Sequence, residues 1–430
     1  MTGQRYRSPL RVREILGNIG PVFWLLLAIV VAAACGYYFA SMKVWRVRLE
    51  TSETENVRLV KQGIGALFEP AVNDLLVLSE NPAILNYLDH PGSDNRTAMN
   101  LELLRWCRRK TDYFEMRMVD EKGVEIARVN YNHGAPVIAP ADELHDVSER
   151  PYFVRTIALD RQEVFVSPFE LNVEEGQLEE PIHPTILFST PVFDSEGYKR
   201  GVLIFSYEGK KILAKVAPAA SSSNGEIMLL NADGYWLKGP VENDEWGFMY
   251  EEKMDKTLGA TSPAAWQAII SAETGKFYGR RGFYAFTTLS PLAAADQLVY
   301  EKVTGELSAQ TRASPYVWKI AARVPQSTLL AVSQNRMLRA VGFGAIGALI
   351  LLVFSCLQAR TRTYRQRAEE RLGVHHAVAQ ILAGAGTLDL AMPEILRTIG
   401  QGARWDFGAF WEFDWKTDAL RCLEVWHVPA

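Results

Sequence analysis

Cysteine is scarce in this chain, with four in 430 residues. Cys35 and Cys356 fall inside two long uncharged runs, Cys422 lies beyond the second, and only Cys107 stands between them. An intramolecular disulfide in the long middle segment is therefore excluded, and its fold must rest on its own core. Cys107 reads as a small buried hydrophobe. An excess of one charge is also missing. The 46 Lys and Arg against 50 Asp and Glu leave a net charge of -4, which speaks against a nucleic-acid binder. Motifs of enzyme chemistry are absent as well. There is no P-loop, no glycine-rich nucleotide fingerprint, no HExxH and no CxxC, so no catalytic residue, metal or cofactor is expected. The pair His375-His376 lacks the surroundings of a kinase phosphoacceptor and reads as exposed helix.

What the sequence does have is two uncharged runs. Ile15–Met42 lies between Glu14 and Lys43, and Ala340–Ala359 lies between Arg339 and Arg360. Each can cross a hydrocarbon layer about 30 Å thick, which takes roughly 20 helical residues. The first run is longer than the roughly 7–15 apolar residues of a cleaved signal peptide, so it reads as an uncleaved anchor. Arg5, Arg7, Arg11 and Arg13 precede the first run, and Arg360, Arg362, Arg365 and Arg367 follow the second. Both clusters favour the cytoplasm, which leaves Lys43–Arg339 outside. The same arginines are suited to anionic headgroups.

Between the runs the pattern is mixed. Val57, Val60, Ile64, Leu67, Ala71, Leu75 and Leu78 recur at spacings of three and four, which predicts a long helix over Val44–Ser79. Pro70 predicts a kink or break near Phe68. Further helices are expected over Ala83–Leu88 and Asn95–Lys110. Strands are expected at Tyr113–Val119, Val124–Tyr131, Val164–Ser167, Thr185–Phe193 and Gly201–Tyr207, five in one antiparallel sheet. Ser221-Ser222-Ser223-Asn224-Gly225 reads as a linker. A second, smaller sheet is expected from Glu226–Leu230, Lys276–Tyr278, Phe283–Leu289, Leu298–Val303 and Tyr316–Val324, with a helix at Thr261–Ala272. Trp236, Trp246, Tyr284 and Phe286 read as its core, and Glu174, Glu175, Glu179 and Glu180 as a solvated acidic loop. A helix over Gln326–Arg339 returns to the second run, and a charged helix over Thr361–Gly373 follows it.

The stretch from Glu149 to Tyr207 carries a resemblance. With the residues just before it, it gives Asp146-x-Ser148-x-Arg150-x-Tyr152-Phe153, then Phe188-Ser189-Thr190-Pro191 and Arg200-Gly201-Val202-Leu203. This resembles the membrane-distal half of a double Cache sensor, a PAS-like module of bacterial receptors. Leu230–Pro240 with Asp244–Phe248 looks like the membrane-proximal half. From about His376 the chain is similar to the opening of a GAF domain, through Ala377–Ala383, Trp405–Trp411 and Leu420–His427. Residues 376–430 are short for a domain of roughly 100–150 residues, so that domain is expected to be incomplete.

The resemblance implies an α+β fold of two tandem PAS-like antiparallel sheets behind a long N-terminal helix. The expected order is a cytoplasmic N-terminus (1–14), a first span (15–42) and an exported sensor (43–339). A second span (340–359), a signalling helix (360–375) and the GAF-like segment (376–430) come next. The distal module falls at about 80–215 and the proximal at about 222–325. A multi-pass protein of the bacterial inner membrane follows, with both termini cytoplasmic. It is expected to act as a homodimer, since a lone span gives the cytoplasmic half little to work against. The implied role is a receptor for a small solute. Its output is read as a histidine kinase, with a GGDEF-type cyclase, a chemotaxis receptor or a binding-only protein as alternatives.

For the binding site, Pro151 suits a first helical position, which puts Arg150 at the N-cap beside unpaired N–H groups. A guanidinium there can grip a carboxylate through two parallel hydrogen bonds. Carried over from the resemblance, Arg150 and Tyr152 are ligand contacts and Phe153 is core. Arg128 and Asn130 share a strand face by period two. Arg128, Tyr131 and Phe165 complete the candidate site. Related sequences carry a basic residue where Leu187 stands, which points to a less anionic ligand here, and the stricter amino-acid signature is not matched.

Overall fold

The computed structural model describes residues 21–132, 134–174, 177–291, 317–403, 405–416 and 418–428. The arginines of the first 20 residues, the strand expected at Leu298–Val303 and Glu175 of the acidic loop lie outside them. Met42–Gln334 forms one compact unit. The described residues up to Ser41 and from Asn335 form the other.

Helix α1 runs unbroken over Pro21–Ser79. The expected kink or break at Pro70 does not end it. Pro70 and Ala66, whose carbonyl loses its partner, are both exposed, so water can serve that carbonyl. The opposite face, with Val57, Val60, Ile64, Phe68, Val72, Leu75 and Leu78, is buried. Next come α2 (Pro82–Asp89) and α3 (Ser93–Arg109). Asn81 caps α2, its Oδ1 accepting from Ala83 N at 2.8 Å, with Pro82 at the first helical position.

The first module is a seven-stranded antiparallel sheet, against the five strands expected. Its strands are β1 (Tyr113–Asp120), β2 (Glu125–Asn132), β3 (Ala135–Ile138), β4 (Phe165–Val166), β5 (Glu170–Leu171), β8 (Pro184–Phe193) and β9 (Lys199–Glu208). Their order is β3-β2-β1-β9-β8-β4, with β5 also on β8. The added strands are short and lie at the rim, where propensity is weakest. Between them β6 (Val173–Glu174) and β7 (Gln177–Leu178) make a small hairpin, and α4 (Pro151–Ile157) crosses the sheet. The β1–β2 turn uses Gly123 at φ +91°, where a Cβ would strike Ser148 at 2.4 Å. Met116, Met118, Val129, Leu203, Phe205, Ile186 and Phe188 pack with α1–α3. Cys107 is buried there, and burial pushes its thiol up to about 11.

Two short helices, α5 (Gly209–Ala214) and α6 (Ala217–Ser222), lead to the second module. The expected Ser221–Gly225 linker is thus partly helical. The second sheet has the order β11-β10-β14-β13-β12. Its strands are β10 (Glu226–Leu230), β11 (Trp236–Lys238), β12 (Thr274–Gly279), β13 (Gly282–Leu289) and β14 (Trp318–Pro325). In place of one helix over Thr261–Ala272 there are α7 (Leu258–Thr261) and α8 (Pro263–Ile270). Pro263 excludes Ser262 from the helical region, and Ser262 sits at φ -148°, ψ 68°.

Helix α9 runs over Gln326–Gly384, merging three expected helices into one. In the other unit the two apolar helices touch. Tyr37 meets Phe343 edge-on at 5.7 Å, and a Cβ on Gly347 would reach Val30 at 3.0 Å. Both helices are long and apolar enough to cross a membrane. In the same unit α10 (Leu388–Ala403) packs on a hairpin of β15 (Phe407–Asp414) and β16 (Ala419–His427). Gly400 lies against the Trp426 ring, with no room for a side chain.

Candidate functional site

The face of the first sheet away from α1–α3 is polar in its middle. Residues alternate along β1, so Glu115 and Arg117 face opposite to Met116 and Met118. Register places Glu115 beside Asn130 and Arg117 beside Arg128 on β2. On the other flank Glu115 faces Ser206 of β9. Glu125 joins this group through an irregularity. The β1–β2 register shifts after Met118, and Ile126 and Ala127 both pack against the helix-side core. The bulge turns Glu125 over to the polar face.

The result is a buried charge cluster. Arg117 Nε lies 2.9 Å from Glu115 Oε1, and its Nη1 lies 3.4 Å from Glu125 Oε1. Arg128 Nη1 is 3.4 Å from Glu125 Oε2. Glu125 is fully buried and also accepts from His145 N at 3.1 Å. Ser206 Oγ donates to Glu115 at 3.0 Å. Burial works against the Arg117 charge, but Glu115, Tyr152 and Glu125 outweigh it and hold its pKa above the usual arginine range. Charges taken from water at such cost persist only when paired.

The pairing is incomplete. Arg128 Nε and Asn130 Oδ1 are buried without a hydrogen-bond partner. Arg117 Nε is close to Glu115 but does not align for a hydrogen bond with it. Orphaned polar atoms on one face of two paired strands are uncommon, and each costs about 1–3 kcal/mol. The arrangement can supply a donor and an acceptor to a small polar molecule.

The cover comes from residues 139–167. Tyr152 and Phe153 on α4 pack with Val119, Val147, Leu187, Val202 and Ile204. The Tyr152 hydroxyl accepts from Arg117 Nη1 at 3.1 Å, and the guanidinium lies 5.3 Å from the ring centre. Burial raises the Tyr152 pKa. Thr156 Oγ1 and Ser189 Oγ are 2.6 Å apart beneath α4. Glu143, in a short 3-10 turn, is 3.8 Å from Arg128 Nη2.

Tyr152 and Arg128 thus come together through Arg117 and Glu125. Arg150 is the N-cap of α4, as its sequence position suggests, but its side chain is exposed and makes no cap bond. Phe165 is half-buried on β4 opposite Ser189, with Arg155 stacked 5.9 Å from its ring. Tyr131 is not brought to this face; it packs against the helix-side core. Glu115, Arg117, Glu125 and Ser206 carry the centre of the site, and sequence reasoning passes over all four. Alternation in Glu115-Met116-Arg117-Met118 marks a polar face, which on its own reads as a solvated one.

The equivalent face of the second sheet is apolar. Met228, Leu230, Trp236, Tyr284, Phe286 and Ala321 close against α7 and α8, so three of the four expected aromatics are there, whereas Trp246 packs edge-on against Phe169 at 5.0 Å in the helix-side core. A groove of about 430 Å³, lined by Ile182, Glu242, Glu245, Trp246, Tyr250 and Lys253, shares no residue with the charge cluster.

Comparison with known proteins agrees with this architecture. A domain of a sensory box/GGDEF family protein from Vibrio parahaemolyticus aligns at a TM-score of 0.55 with 16% identity, over 66% of this chain and 98% of that one. The extracellular domain of vpHK1S-Z8, described as a histidine kinase, aligns at 0.54 with 16% identity, over 70% and 99%. The ligand-binding domain of the Pseudomonas aeruginosa amino acid chemoreceptor PctC, solved with GABA, aligns more loosely, at 0.40 and 17% identity, over 64% and 98%. No curated protein matches the chain. The first two of these share the Cache-type fold that the Glu149–Tyr207 stretch suggests. The family pattern "Bacterial histidine kinase, sensor domain" matches residues 70–300, more than half of the 430, and the chain belongs to that family.

Proposed function

We propose that this chain is a bacterial transmembrane receptor. Its first, membrane-distal module binds a small polar solute of the carboxylate class on the Arg117–Arg128 face and reports occupancy to a cytoplasmic output. The observation that carries this is the buried cluster with an unpartnered arginine Nε and an unpartnered asparagine oxygen. A carboxylate oxygen completes Arg128, a hydroxyl on the same ligand serves Asn130, Tyr152 walls the site, and Arg150 and Phe165 stand at its rim. Leu187 packs under α4 with no charge to offer, in keeping with a ligand of low net charge.

The two apolar helices are read as spans, with Lys43–Arg339 outside and the arginines after Ala359 in the cytoplasm. The receptor works as a homodimer in the inner membrane. α10 and the β15–β16 hairpin are the opening of a GAF-like domain, and the output is a histidine kinase, in line with the family match over residues 70–300. A GGDEF-type cyclase is the second reading, because the same fold serves a protein of that family.

The test is thermal unfolding of the full chain in lipid nanodiscs with small carboxylates, polyols and amines. A ligand at a hundred times its dissociation constant adds about 2.7 kcal/mol of stability. Arg128→Ala should abolish the response to a binding carboxylate; an unchanged response overturns the site. Reporter fusions near Tyr207 that score as cytosolic overturn the topology. Autophosphorylation from ATP, against cyclic dinucleotide from GTP, separates the two outputs.

A further inference from the structure

Glu53 is fully buried on α1, yet no cation pairs with it in the described residues. Its carboxylate is held by neutral donors alone. Oε2 accepts from Ser223 Oγ at 2.6 Å and from Asn56 Nδ2 at 3.2 Å. Oε1 accepts from Asn224 N at 2.9 Å and Asn224 Nδ2 at 3.0 Å. Asn56, one turn on, accepts from Ser222 Oγ at 3.0 Å. A buried charge is costly unless fully hydrogen-bonded, and bonds to an ionised acceptor are roughly twice as strong as neutral ones. The segment Ser222–Asn224 therefore cannot slide along α1 without exposing or orphaning that charge.

The same segment is fixed on its other side. A Cβ on Gly225 would fall 2.0 Å from the Arg323 carbonyl oxygen, so the two backbones are in direct contact and only glycine fits. Glu226 pairs with Arg323 in register and accepts from its Nε at 2.9 Å. Arg323 belongs to β14, which passes through Pro325 straight into α9. One turn before Glu53, Leu49 packs with Phe283, Val324 and Leu329. Five consecutive residues at the exit of the first module thus grip both the helix that comes from one apolar run and the strand that feeds the other.

We propose that Ser222–Glu226 is a mechanical joint, with Glu53 as its pivot, that makes α1 and the β14–α9 corner move together when the first module shifts. Displacements of about 1–2 Å between packed helices suffice for such switching. The joint rests on the reading of the first module as the sensing one. Its test needs no ligand, so it can fail while binding at Arg128 stands, and the reverse.

The experiment is amide hydrogen exchange on the full chain in nanodiscs. Glu53→Gln removes the charge and turns an NH2 toward the Asn224 donors. Exchange should rise several-fold at Ser222–Glu226 and, together with it, at Trp318–Pro325 and Gln326–Gln334, while β8 and β9 keep their protection. A rise confined to Ser222–Glu226, or none, makes Glu53 a local tie and overturns the joint. A uniform rise that includes β8 and β9 in both Glu53→Gln and the milder Ser223→Ala also overturns it, because the segment then supports the whole unit. If Glu53→Gln does not fold, Ser223→Ala alone decides. It removes one donor, and the same three-part rise is expected at smaller size.

Discussion

The two sheets of the sensor unit share an antiparallel plan and differ in what they do with one face. In the first module that face holds Glu115, Arg117, Glu125, Arg128 and Asn130 beneath α4. In the second it holds Met228, Leu230, Trp236, Tyr284 and Phe286 beneath Leu258 of α7 and Ile269 of α8. The apolar face is closed by its own helices and leaves one buried polar atom, Trp236 Nε1, without a hydrogen-bond partner among the described residues. The charged face leaves two, Arg128 Nε and Asn130 Oδ1, beside its buried ion pairs. Under the proposed function, the capacity to recognise a solute lies in the first module. The price of that capacity is a set of buried charges which a packed apolar face would avoid.

The sharpest way to break this comparison is to remove one charge from the first module. Arg117→Ala leaves Glu115 and Glu125 without their shared cation, and a broken buried pair costs about 3–5 kcal/mol. Chemical denaturation of the full chain should show that loss and no carboxylate response. The sharper companion is the double variant Glu115→Met, Arg117→Met, which gives the first module an apolar face like the second. It should recover most of the stability, because a buried pair exchanged for apolar residues is often neutral, and still bind nothing. A double variant as unstable as Arg117→Ala would show that the charges hold the fold itself.

In the second module Ile269→Ala deletes buried aliphatic volume and should cost about 2–5 kcal/mol, with the affinity for a first-module ligand unchanged apart from the lost stability. Tyr152→Phe comes next. It removes the acceptor for Arg117 Nη1 and should cost about 0.5–1.5 kcal/mol, while raising the dissociation constant of the ligand. A variant that binds as the parent does would place Tyr152 in packing alone.

Much of the fold was legible because periodicity reports burial. The three-and-four spacing along α1 and the near-continuous apolar runs of β8 and β9 depend on local chemistry. Pro70 misled because the cost of a proline depends on whether its orphaned carbonyl faces water, and that is set by packing. Ser262-Pro263 was a readable break, obscured by the apolar spacing on either side of it. The charge cluster was legible only in part. Tyr152 and Arg128 stand out by residue type, but Glu125 reaches the face through a bulge that no pattern in Val124–Asn130 announces. Arg117 looks like an ordinary solvated strand residue until α4 is laid over it. Tyr131 shows the limit from the other side, since one step along β2 sends it to the helix-side core.

The smallest expected effect concerns the edge of the first module, where His183 joins the segment after β7 to the end of β9. Its Nε2 lies 3.0 Å from Glu208 Oε2 and its Nδ1 3.8 Å from Glu179 Oε2, with the ring against Phe114 at 4.3 Å and Lys210 as the opposing charge nearby. The close contact with Glu208 raises the His183 pKa against burial. For Glu208, burial pushes upward, but His183 outweighs it and leaves the carboxyl lowered. A raised histidine stabilises fully below its unfolded value and loses that contribution as pH rises through its folded one. A lowered carboxylate stabilises above its unfolded value and loses that contribution as pH falls through its folded one. The pair is therefore strongest between about pH 4.5 and 6.5. His183→Gln should lower the melting temperature more at about pH 5.5 than at about pH 8.5, by less than about 1 kcal/mol in free energy. An equal loss at both would mean that the ring is held by Phe114 and the loop backbone, and the edge of the charged module would then behave like the apolar one.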